Sequence, residues 1–180
     1  MAQQAQGEGS LRLLRLGEIK LAKSVFGDSI QYHKVWIHHD SYLPFGMQNQ
    51  YAALAPNGEL YFRYWYQDDF SKAAADTQHL FIHEMSHVWQ REKGMYVKLR
   101  GLFSWAVSYR YGLDKRTLRQ YPLEQQAQII ADHFILETFG YAQWLVLRGK
   151  NYDVVSYDGE LDEAVVSVRY KHTLRGFLNV

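Results

Sequence analysis

The segment Leu80-Phe81-Ile82-His83-Glu84-Met85-Ser86-His87-Val88-Trp89 limits the fold more than any other, because it sets two imidazoles and a carboxylate in a run apolar enough to be interior. Burying such groups without partners is costly, so the fold must supply them. The surrounding stretch predicts one helix from about Ser71, as N-cap, to Lys93, with Gly94 as the left-handed residue beyond its end. On that helix His83 and His87 stand four residues apart, on one face and about one turn from each other. Two imidazole nitrogens at this separation can share a tetrahedral Zn²⁺. Glu84 follows the first histidine, where a carboxylate serves as general base toward water in metal-assisted hydrolysis. At this composition the pattern HExxH arises by chance about 0.02 times per random chain.

A catalytic zinc keeps three protein ligands and one open position. The chain has no cysteine, so the third ligand must be His or a carboxylate. Gln90, Gly94 and Met95 follow the motif without supplying a third histidine. The helix predicted from Pro122 to about Leu147 offers Glu124 and Asp132. Glu124 shares a face with Ala127, Gln128, Ala131 and Ile135, and small neighbours there allow close helix approach. Asp132 lies about 80° further round, a placement suited to holding a ring N–H of His83 or His87. Glu124 is favoured as ligand, with Asp132 as the alternative or as the group that orients a histidine. His38 and His39 read as a solvated strand end, and His79 as a surface or packing residue. His133, His172, Tyr121 and Tyr170 are candidate transition-state donors that spacing does not separate.

With 180 residues, 47% of them hydrophobic, the expectation is a single α+β domain over 11–180 behind a flexible tail over 1–10. A net charge of +1 gives no bulk reason to bind nucleic acid, and no apolar run reaches the length that crosses a bilayer. The opening MAQQAQGEGS lacks the basic and apolar regions of a secretory signal. A first helix is expected over Leu11–Phe26, a strand over Ile30–Ile37, and a hairpin of Tyr51–Leu54 with Glu59–Tyr66 around Pro56-Asn57-Gly58. A short helix over Leu102–Tyr109, a short strand over Val154–Tyr157 and a terminal helix carrying Leu161, Ala164, Val165 and Val168 on one side complete the reading.

His83-Glu84-Met85-Ser86-His87-Val88-Trp89-Gln90, the preceding Asp69-Phe70-Ser71 and Gln78-His79-Leu80-Phe81-Ile82, and Glu124-Gln125-Gln126-Ala127 with Asp132 resemble small zincin-like metallopeptidase domains. Among these, the likeness is to bacterial vgr-related (Rhs/Vgr-associated) proteins found with type VI secretion systems. Leu16-Gly17-Glu18-Ile19 and Val25-Phe26-Gly27-Asp28 extend it, so that it covers roughly Leu16 to Leu136. The resemblance implies a gluzincin-type site with one Zn²⁺, His83 and His87 as ligands, Glu84 as catalytic acid and base, and Glu124 as third ligand. It also implies an antibacterial effector made in the bacterial cytoplasm and delivered into competitor cells. The sequence carries no fused spike or Rhs module, so partners are expected to include a secretion spike, an adaptor or an immunity protein, besides the substrate.

The expected activity is zinc-dependent hydrolysis of peptide bonds. A peptidoglycan amidase or endopeptidase uses the same site, and a non-catalytic module with a vestigial motif is the reading from another class.

Overall fold

Along Ser10–Leu13 the side chains of Leu11 and Leu13 are exposed while Ser10 and Arg12 turn inward, a period of two that makes this segment a strand, β1. The helix expected from Leu11 therefore begins later, as α1 over Leu16–Phe26. Arg12 accounts for the change: its guanidinium makes two bonds of 2.8 Å to the Glu18 carboxylate and also donates to Tyr66 Oη and Gln67 O. Glu18 in turn accepts from Arg15 N at 2.7 Å, holding the first turn of α1, whose buried positions Glu18, Ala22 and Phe26 repeat every four residues.

The computed structural model describes residues 7–95, 108–114 and 117–177. The chain divides into two compact units, Met1–Leu99 and Arg100–Val180. Their elements form an α+β fold with a three-stranded mixed sheet and four α-helices among the described residues. None of these helices is long and apolar enough to cross a membrane.

In the first unit the strand expected over Ile30–Ile37 forms only as β2, Trp36–His39. Tyr32–Lys34 is a 3-10 turn instead, with Tyr32 Oη donating to Gly27 O at 2.7 Å. Strand β2 is central: it pairs antiparallel with β1, Leu13 opposite Trp36, and parallel with β3, Leu60–Phe62, Ile37 opposite Leu60. The expected hairpin reduces to one antiparallel bridge, Leu54 with Tyr61, and β3 stops at Phe62 rather than Tyr66, where Tyr64 N donates to Gln50 O. Helix α2 runs over Ala75–Glu92. Ser71 is not its cap, because the Ser71 hydroxyl donates to Asp69 at 2.6 Å and Phe70–Lys72 forms a separate 3-10 turn. Gly94, at φ 71, ends the helix in the left-handed region as expected. Stacked or tilted rings run from Phe62 through Phe70 to Phe81, with centroids 4.6 and 5.2 Å apart, joining sheet to helix.

In the second unit α3 spans Leu123–Arg148, with Pro122 just before it rather than inside it. Gly140, at φ 84 and ψ 168, breaks the helical path within α3, a conformation closed to residues with a Cβ. Asp162 caps α4, Glu163–Thr173, by accepting from Val165 N at 3.0 Å. Of the apolar residues on the side noted from the sequence, Leu161 and Val168 are exposed, whereas Val166, Tyr170 and Thr173 are buried. Tyr170 packs its ring with Trp144 and Tyr157 in an aromatic core, so ring packing helps to set which side of α4 is buried. Val154–Tyr157 contributes a single parallel bridge, Tyr157 with Tyr111, in place of a strand. The helix expected over Leu102–Tyr109 lies outside the described residues except for its last two positions.

Candidate metal centre

Helix α2 is buried nearly all round from Thr77 to Gln90, and that burial encloses His79, His83, Glu84, Ser86, His87 and Gln90. An interior helix with this many polar side chains needs a reason for each. Ser86 has a local one, since its hydroxyl donates to Ile82 O at 2.9 Å. His83 and His87 lie one turn apart with ring centroids 5.1 Å from each other and planes at 76°. Gln90, one turn further and fully buried, places its side-chain oxygen 2.9 Å from His87 Nδ1. A carbonyl oxygen only accepts, so Nδ1 carries the proton and the lone pair of His87 stays on Nε2. Glu84, 4% exposed, follows His83 on the same turn.

This donor set fits a divalent metal of borderline softness: two imidazoles in helical register, one with its tautomer fixed by a second residue, and a carboxylate beside them. The orienting role of Gln90 was not anticipated. Its signal was present in the sequence, as an amide three residues after the second histidine and on the same face.

The other candidate residues are placed as follows. Glu124 stands half-buried in the first turn of α3 in the second unit. Asp132, on the same helix, is completely buried and accepts from Tyr111 Oη at 2.5 Å, Ser156 N at 2.8 Å and Gln128 Nε2 at 3.0 Å. Those bonds tie it into its own unit. Tyr170 Oη lies 2.6 Å from Tyr111 Oη, and burial together with the Asp132 charge raises both phenols well above the usual tyrosine range. Tyr121 is buried, His172 is exposed, and His133 Nε2 lies 3.5 Å from Glu137. His79 is buried rather than superficial. His38 and His39 do end a strand, yet they are not simply solvated: His38 bonds Glu59 at 2.7 Å and stacks on Tyr61, and His39 stacks on Tyr66.

Among solved structures, the chain is similar to the effector domain of Pseudomonas aeruginosa VgrG2b, with a TM-score of 0.64 and 36% sequence identity over 83% of this chain and 86% of that one. Among curated proteins it is similar to the Pseudomonas aeruginosa type VI secretion system spike protein VgrG2b, 41% identical over 133 residues. That match takes in 69% of this chain and 13% of the spike protein, so the chain corresponds to a small part of its relative's length. No protein-family model matches it. Identity and mutual coverage at this level, over a fold of the same shape, mean that the chain belongs to the family of type VI secretion effector domains that includes that of VgrG2b.

Proposed function

We propose that this chain is a zincin-like, gluzincin-type metallopeptidase acting as a type VI secretion effector, with one Zn²⁺ held by His83, His87 and Glu124. The observation that carries the reading is the buried turn of α2 on which His83, Glu84 and His87 stand together, with the His87 tautomer set by Gln90. The three ligands offer two imidazole nitrogens and one carboxylate oxygen, the set that hydrolytic zinc uses. Zinc, when bound, supplies a Lewis acid for the scissile carbonyl and lowers the pKa of water.

The chain's own residues do the rest. Gln90 keeps the proton of His87 on Nδ1, which puts the ring's lone pair on Nε2, the nitrogen that would ligate. Glu84 takes a proton from the attacking water and passes it to the departing amine nitrogen. The apolar neighbours Phe81, Ile82, Met85 and Val88, all buried, exclude bulk water from the helix that carries these groups. The similarity to a spike protein's effector domain supports travel with a secretion spike, and the reading adds an adaptor and an immunity protein in the producing cell as expected partners.

The test pairs metal analysis with hydrolysis. Purified protein without a His tag is expected to contain one zinc per chain and to cleave denatured protein, and Glu84→Gln to retain the zinc while losing cleavage. Full activity of Glu84→Gln at unchanged zinc content sinks the assignment of the base. Fragments arising from muropeptides alone would move the substrate to the cell wall. Zinc absent, with His83→Ala behaving as wild type in competition against a susceptible strain, would leave a binding module.

A further inference from the structure

The loop between β2 and β3 carries a tip that the proposed chemistry does not use. Phe45 is 100% exposed and Met47 66% exposed, after Leu43-Pro44 and on either side of Gly46. Phe45 also sits at φ 58 and ψ 25, a left-handed conformation that bulky side chains avoid. The backbone is thus held in an unfavourable state that presents an aromatic ring to the outside, and strain of this kind persists only where surrounding structure imposes it. The anchor is Gln48, 2% exposed, whose side chain accepts from Tyr42 N and donates to Ala52 O and Tyr61 O.

Three main-chain polar groups of the tip, Pro44 O, Gly46 O and Met47 N, are paired within the loop and with Arg63. Pro44 has no N–H, and its carbonyl accepts from Met47 N at 3.3 Å. Leu43 O accepts from Ser41 Oγ at 2.8 Å, and Arg63 Nη1 donates to Gly46 O and Gln48 O at 3.3 and 3.0 Å. Around the base of the loop stand Tyr51 and Tyr64, 57% and 63% exposed, with ring centroids 5.0 Å apart, and Trp65 edge-on to Tyr64 at 5.0 Å. Tyr64 N donates to Gln50 O, which ties Tyr64 to the loop. Exposed apolar side chains in one loop with tyrosines tied to it are the composition that lipid–water boundaries select.

The size of the tip decides between occupants. A stable protein interface takes about 800 Å² from each partner, far more than four residues of one turn present. A lipid surface closes around a wedge of any size. Arg63, at the base, is engaged by Glu8 at 2.6 Å and by loop carbonyls, so the contact does not rely on anionic headgroups. We propose that Pro44–Met47 is a peripheral membrane wedge, inserting Phe45 and Met47 into a zwitterionic lipid surface with Tyr51 and Tyr64 at headgroup level. It does not depend on the metal reading, since its readout is partitioning and not hydrolysis.

The test is flotation of the purified chain with vesicles of phosphatidylcholine and phosphatidylethanolamine. Wild type is expected in the lipid fraction, and Phe45→Asp to lower its partitioning by about tenfold, the loss of one buried phenyl ring. Phe45→Trp is expected to float as wild type, with its added emission quenched by bromine-labelled phosphatidylcholine. Should Phe45→Asp fail to fold, the quenching of Phe45→Trp decides alone. Wild type left in the aqueous fraction, as a tip meant for a protein partner would be, overturns the proposal. So does unquenched Phe45→Trp emission, or a folded Phe45→Asp that floats undiminished.

Discussion

Gln90 determines which nitrogen of His87 can bind a metal, and that makes it the residue whose loss separates positioning from ligation. Gln90→Ala keeps both histidines and Glu84 but frees the His87 ring to rotate and change tautomer. Zinc affinity is expected to fall by about ten- to a hundredfold, as for other residues that orient a metal-bound ring, and chelator competition measures it. Gln90→Glu, which still accepts from Nδ1, should recover most of the loss; equal weakening in both variants would mean that Gln90 serves packing alone. HExxH was legible at this scale because helical spacing puts its three residues on one turn without help from the rest of the fold. What orients them was harder to see, because an amide has no preference of its own for holding an imidazole.

Element boundaries show where local pattern and tertiary structure part. Helix α2 was readable from its apolar run and from Gly94, yet Ser71, a good cap by type, is occupied by Asp69. Leu11 to Leu14 fits a helix by composition, but Arg12 must face Glu18, and that demand alternates the side chains. The side chains of this pair are 9% and 0% exposed, and Glu18 also accepts from Phe70 N at 2.9 Å, so β1, α1 and the approach to α2 share one carboxylate. Arg12→Ala leaves that charge buried without its partner and is expected to cost about 3–5 kcal/mol, read as a shift in urea midpoint at constant slope. Removing the α4 cap with Asp162→Ala is expected to cost about 1 kcal/mol. A midpoint change as large as that of Arg12→Ala would mean that Asp162 does more than close a helix end. The buried side of α4 was not legible, because the interior takes Val166 together with Tyr170 and Thr173, a mix that a count of aliphatic residues does not pick out.

At the scale of the whole molecule, each unit carries a buried polar network where many small domains would use only hydrocarbon, and with no cysteine neither is reinforced by a disulfide. The network of the second unit has a pH signature. Tyr111 and Tyr170 hold their protons in the folded chain well beyond the usual 10.0, whereas the unfolded chain releases them there. Stability from these groups is therefore complete below about pH 10 and is lost as the pH rises further, because the unfolded state then binds fewer protons. A thermal midpoint that falls above that pH, with a shallower fall in Tyr170→Phe, is the expected result; Tyr32, also raised by burial, keeps the slope from vanishing. Identical slopes in wild type and Tyr170→Phe would remove the phenols from the account. The same network has a consequence for motion. Ser156 lies in a segment without regular secondary structure, yet its amide donates to Asp132 at 2.8 Å inside the core. In deuterium oxide that amide should exchange as slowly as those of the middle of α3, since releasing it requires the second unit to open as a body.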